Sequence, residues 1–228
     1  QDPLRAAGQC AEIAGEDEDM QQLVLDYMAL LLRRGQYREE VVAVGEQLAP
    51  KLQDVAKIDR MGGLMFAAGD EALAVANVVR AALLAPEQAE LAERAASMAF
   101  RVGDDESVAA VVQAARSAGS SNANMVAHLA ASCDRIGDVA RRRELIDELL
   151  GQGDLPVPVA RLIVSFWLEE DQPALGRTVI EAALEKAPDQ AMLHYELGRA
   201  CLLLDETARA SVALQRALDI GLPDHIAG

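Results

Sequence analysis

MFAAGDEAL, residues 65–73, is helix-forming sequence cut at Gly69-Asp70 and resumed at once. Glycine permits a left-handed backbone and aspartate can cap the helix that follows, so the pair reads as a tight turn between two helices. The same pair stands at Gly103-Asp104 and Gly137-Asp138, each time 34 residues further on. The interval extends backward to Gly35-Gln36 and forward to Asp171-Gln172 and Asp205-Glu206, all turn-compatible. It persists at another phase: Ala81, Ala115, Ala183 and Ala217 are in step, with Gln47 and Leu149 as exceptions. Pro86 and Pro188 lie three intervals apart. Self-similarity at a fixed period of this size marks a stack of supersecondary units.

Numbered from position 1, the units span 21–54, 55–88, 89–122, 123–156, 157–190 and 191–224. A 34-residue unit of two helices and a turn resembles the tetratricopeptide repeat (TPR) family. The clearest match is the last unit, AMLHYELGRACLLLDETARASVALQRALDIGLPD, where Leu197-Gly198 fill the family's Leu-Gly positions. Ala210 sits where the second helix must approach the first, Leu214 replaces the family's large residue, and Ala217 follows. Position 8, ideally glycine, reads Met28, Gly62, Ala96, Ala130, Val164 and Gly198. Position 20 reads Glu40, Ala74, Val108, Arg142, Gly176 and Ala210, which leaves units one and four the least regular.

The resemblance covers about nine-tenths of the chain and implies an all-α TPR solenoid, a right-handed superhelix of stacked helix-turn-helix repeats. In the same register, residues 1–20 read as an orphan second helix of a preceding repeat (Pro3 to Ala14) and an acidic linker, GEDED. Proline suits a first helical turn, where its missing N–H is not needed. Residues 225–228 form a tail. An orphan helix at one end and no polar capping helix at the other favour a segment of a longer protein.

With 228 residues, 51% of them hydrophobic, the chain can bury a substantial core. Aromatics are only 3%, while alanine and leucine dominate, a composition poor in strand formers. Acidic residues outnumber basic ones 37 to 21, for a net charge of −16. That balance argues against nucleic-acid binding, which needs cations to displace phosphate counterions, and against adsorption to anionic lipid. No apolar run reaches the roughly 18–20 residues that span a bilayer. QDPLRAAGQC lacks a signal-peptide pattern, although removal of one would leave the compartment open. The alanine- and arginine-rich composition points to a bacterial source, cytoplasmic or periplasmic. Cys10, Cys133 and Cys201 are too few, and odd in number, for a disulfide framework.

Catalytic motifs are missing: no phosphate loop, H-E-x-x-H, G-x-S-x-G elbow or C-x-x-C pair. His128, His194 and His225 share no ligand spacing, and His194 occupies the position the family fills with tryptophan, where packing is expected. Cys133 and Cys201 both fall at position 11, a core position of the first helix. The GEDED run lacks the spaced ligands and loop glycine of an EF-hand. We therefore expect no catalytic residue, metal or cofactor.

What remains is surface. The resemblance implies that positions 2, 5, 9, 12 and 13 of the first helices line the concave face. Position 12 reads Leu32, Phe66, Phe100, Asp134, Leu168 and Leu202, with Phe66 and Phe100 as neighbouring anchors. Position 13 contributes Arg33, Arg101 and Arg135, expected to face Asp59 and Glu93 from position 5. Position 9 is small in all units but the last, and Tyr195 and Arg199 of that unit complete the candidate face. Two readings stand: a groove that grips a peptide or helix, or a row that packs neighbouring first helices beneath solvated arginines. A clamp for a terminal carboxylate is not expected, since position 9 offers no asparagine and the chain has only three lysines. Arg141-Arg142-Arg143, with Arg135 nearby, is a local basic patch. It either docks an acidic partner or is an exposed helix face balanced by Glu144 and Asp147.

The sequence thus predicts a non-catalytic scaffold or adaptor that binds a partner protein or peptide in its groove. Its setting would be a larger bacterial assembly for secretion, envelope-polymer export or complex assembly. The alternative is a regulatory or substrate-positioning region of a larger enzyme such as a glycosyltransferase. Self-association by end-to-end stacking is compatible with either.

Overall fold

The structure, a computed structural model, describes Ala14 and residues 17–35, 37–153 and 155–222. Among these residues twelve α-helices alternate with turns, and no strand occurs. They pair as α1 (Glu18–Arg33) with α2 (Arg38–Leu48), α3 (Val55–Ala68) with α4 (Glu71–Leu84), and α5 (Ala89–Val102) with α6 (Asp105–Ala118). Then follow α7 (Ala123–Arg135) with α8 (Val139–Gly151), α9 (Val157–Glu169) with α10 (Pro173–Lys186), and α11 (Ala191–Leu203) with α12 (Thr207–Ile220). A single 3-10 turn, Ala49–Lys51, follows α2. Five of the six first helices begin at the first position of the unit read from the sequence.

The Gly-Asp pairs close these units with a two-part device. Gly69 takes a left-handed φ of 95°. Its N–H donates to the Met65 carbonyl at 3.0 Å, and the Asp70 N–H donates to the same carbonyl at 3.0 Å. The Asp70 carboxylate then accepts the Leu73 N–H at 2.9 Å and so caps α4. The pattern recurs where the Asp104 N–H meets the Ala99 carbonyl at 2.9 Å and the Asp138 N–H meets the Cys133 carbonyl at 2.8 Å. Units five and six reach the same backbone without glycine, through Asp171 at φ 56° and Asp205 at φ 59°. Neither turn carries a side-chain cap on the helix that follows.

Small residues decide how closely each pair packs. A Cβ on Gly62 would lie 2.5 Å from Val78 and 3.1 Å from the Ala74 carbonyl oxygen. One on Gly198 would lie 2.5 Å from Leu214. The repeating alanines at 81, 115, 183 and 217 are buried, and Leu149 is buried with them. Leu25, Met28, Ile58, Met61 and Met65 fill the core of the first half. Full burial of such side chains contributes about 1.5–3 kcal/mol each.

Unit one departs from the expected register. Its second helix begins at Arg38, one position later than in every other unit. The buried set Val41, Val44, Gly45 and Leu48 is correspondingly one residue later than Val108, Val111, Val112 and Ala115 of unit three. Gln47 is therefore exposed, and Glu40 is not a close-approach residue. Gly45 provides the space instead: a Cβ there would lie 2.6 Å from Met65 Sδ. The acidic linker is also shorter than expected, because Glu18 to Met20 are helical. Asp17 caps them, accepting the N–H groups of Asp19 and Met20 at 3.1 and 3.0 Å. The expected helix from Pro3 lies outside the described residues save for Ala14, which is buried.

The chain divides into two compact units, Gln1–Ser132 and Cys133–Gly228, with the division inside α7.

Candidate functional site

In the first compact unit, the first helices carry a connected series of polar and aromatic contacts. Phe66, near the end of α3, is 48% exposed. The Arg101 guanidinium of α5 lies 5.9 Å from its ring centroid. Arg101 is itself exposed and has no ion-pair partner among the described residues. Phe100 is half-buried against the core, and its ring lies 5.3 Å from that of His128 on α7, tilted by 37°. Burial holds the His128 imidazole below its ordinary 6.5, and the nearby Glu93 carboxylate opposes that shift.

Glu93 and Asp59 are engaged differently from the sequence expectation, which faced them toward the arginines of position 13. Glu93 accepts from the side-chain amides of Asn122 at 2.6 Å and Asn124 at 2.8 Å. Asp59 on α3 pairs with Arg94 on α5, the next first helix. A parallel bridge joins Arg60 to Asp26 at 2.5 Å and holds the Asp26 carboxyl below its ordinary value. Arg33 is exposed with no partner among the described residues. Leu32 is half-buried against the core. The structure thus brings together Phe66 with Arg101, and Phe100 with His128 and Glu93. Asn122, Asn124, Arg94 and His128 were not read as site residues. Asn124 was within reach of the sequence, since it holds position 2 of its unit.

In the second compact unit the candidates are more dispersed. Arg135 is exposed, Tyr195 is half-buried, and Arg199 donates to buried Glu196 at 2.8 Å. The basic run is largely consumed internally. Arg141 pairs with Glu144 at 2.6 Å, and Arg143 lies 5.8 Å from the Trp167 ring centroid. Arg142, only 12% exposed, pairs with Asp134 and with Glu169 and stacks 4.6 Å from the centroid of buried Phe166. His194 is half-buried, with its Nε2 2.8 Å from the Pro188 carbonyl oxygen. Cys133 and Cys201 are buried in the core and form no disulfide, and burial pushes the Cys201 thiol up. Among the described residues no cluster of three or more potential ligands could hold a metal ion. No described helix is long and apolar enough to cross a membrane.

No protein-family model matches the sequence, and no curated protein matches it. Solved structures do. MamA protein is 10% identical, with 73% of this chain and 91% of that chain covered at a TM-score of 0.59. YrrB, described as a TPR protein with an unusual peptide-binding site, is 16% identical over 76% and 89% at 0.55. The C-terminal part of a TPR repeat-containing protein from Cytophaga hutchinsonii is 14% identical over 86% and 78% at 0.60. These similarities, with six helix-turn-helix pairs at a 34-residue period, establish the fold as that of the TPR proteins.

Proposed function

We propose that this TPR chain is a non-catalytic scaffold that holds a segment of a partner protein against its first helices. The observation that carries the reading is Phe66, a large aromatic left 48% exposed beside an arginine with no ion-pair partner among the described residues. Exposed aromatic and arginine side chains are the residue types that anchor interfaces. Phe66 with Arg101 suits a segment that presents an apolar side chain next to an acidic one. The likeness to YrrB, whose description includes a peptide-binding site, supports the same reading. We place the scaffold in a larger bacterial assembly, of the kind that serves secretion, envelope-polymer export or complex assembly.

The test uses Phe66→Asp and Arg101→Glu, both at exposed positions, in affinity capture with mass spectrometry and helicity checked by circular dichroism. The expected result is loss of the same captured protein in both variants. Unchanged recovery in both would sink the assignment of this face. A second reading, self-association, is favoured by Leu202, Leu203, Val212 and Leu218, all exposed in the last unit. A sedimentation mass that stays monomeric at rising concentration would dispose of it.

A further inference from the structure

A second concavity of the first compact unit lies mainly on its second helices. It is a groove of about 800 Å³ along α4, continued by the end of α5 and the start of α6. Val75, Val79, Leu83, Leu84 and Val102 line it, and the last three are 43%, 54% and 45% exposed. Ala72 and Ala76 give it depth. Its α4 residues fall in two rows, 71/75/79/83 and 72/76/80/84, so the stripe runs the whole helix. At 1.5 Å per residue that is about 20 Å.

The two ends differ in charge. Glu71, the first residue of α4, has no partner among the described residues. Asp104 caps α6 beside it, accepting one N–H from Ser107. Leu83 and Leu84 stand at the opposite end, one turn beyond Arg80. The one cation of the lining, Arg80, is engaged by the protein itself, donating to the Ala49 and Leu52 carbonyls at 2.8 and 2.5 Å.

We propose that this groove docks an amphipathic helix of a partner protein, about four turns long, with an apolar stripe and basic residues at the Glu71 end. The occupant is a helix because the lining consists of helical side chains. It offers no open backbone edge, so an extended segment would bury unpaired N–H and C=O groups that a helix satisfies itself. The occupant is basic because Glu71 and Asp104 lie at the groove mouth of a chain with net charge −16. The same charge disfavours a second copy of this chain.

The test is fluorescence anisotropy with a labelled 14-residue leucine–lysine amphipathic peptide and a leucine–glutamate counterpart of equal length. Leu84→Asp should weaken binding of the lysine peptide about tenfold or more, and Glu71→Lys should weaken it several-fold and flatten its salt dependence. Leu202→Asp, an exposed leucine of the other compact unit, and Phe66→Asp should leave it within about twofold. The glutamate peptide should not bind. Equal affinity across all variants would show general charge attraction and overturn the proposal. So would loss of binding in Phe66→Asp but not Leu84→Asp, which would put the peptide on the first-helix face. A wild-type dimer in sedimentation that Leu84→Asp dissolves would assign the groove to a second copy and equally overturn it.

Discussion

Arg142 and Arg101 each lie over a phenylalanine ring, 4.6 and 5.9 Å from its centroid, and the two pairs do opposite work. Arg142 is 12% exposed and Phe166 is 1% exposed; the guanidinium also reaches Asp134 on α7 and Glu169 on α9. It occupies position 20, where units two, five and six carry alanine or glycine to let helices approach. Unit four therefore substitutes a polar tie for a close contact. Arg101 and Phe66 are both exposed, and Arg101 has no counter-ion among the described residues. A cation–aromatic pair sealed by carboxylates holds a fold together, whereas one left open to solvent is free to meet a ligand.

The strongest way to break this contrast is at the rings. Phe166→Ala should lose about 3–5 kcal/mol, the range for emptying a buried aromatic site. Phe66→Ala should lose less than about 1 kcal/mol, because the ring is already half in water. Urea unfolding followed by Trp167 fluorescence reads the second compact unit, since this is the single tryptophan of the chain. Far-UV circular dichroism reads both. Equal losses would erase the distinction between a tie and an open pair.

The arginines sharpen it at smaller amplitude. Arg142→Ala should destabilise by about 2–3 kcal/mol, through lost packing on Phe166 and two carboxylates left facing each other. Half exposure of Asp134 and Glu169 keeps the figure below that of a fully buried pair. Arg101→Ala should stay within about 0.5 kcal/mol by the same urea titration. If Arg142→Met restored most of the loss, packing rather than charge would be the dominant contribution.

Much of the fold was legible because turns obey local chemistry. A glycine that takes positive φ and an aspartate that caps recur 34 residues apart at Gly69-Asp70, Gly103-Asp104 and Gly137-Asp138, in units two, three and four. Asp171 and Asp205 were found only through the period, since aspartate adopts the left-handed conformation less readily than glycine. The slip of α2 was not legible. Tyr37 and Arg38 give no local sign that the helix starts one residue late, and Gly45 matters only through Met65 of the next unit. Repeat position alone did not separate exposed Phe66 from half-buried Phe100 and Leu32, which share position 12, nor did it give the partners of Glu93. Asn122 and Asn124 lie 29 and 31 residues away, off the period on which the reading relied. Arg142 looked like part of a basic patch because sequence adjacency hides which of three arginines turns inward.

The smallest expected effect separates the first compact unit by pH. His128 stacks on Phe100 and is kept below the ordinary imidazole value of 6.5 by burial, against the pull of Glu93. Between its folded value and 6.5 the unfolded chain binds more protons than the folded one, so stability rises with pH across that window. The contribution is complete above 6.5 and is lost as pH falls through the folded value. The carboxylates of Asp26 and Glu206, held low by arginines, titrate in a more acidic window and do not confuse the reading. Wild type should therefore melt lower at pH 5.5 than at pH 7.5, and His128→Gln should flatten that slope. If the slope persists in His128→Gln, the ring is not desolvated by Phe100 and its neighbours, and this part of the first-helix face is more open than the packing indicates.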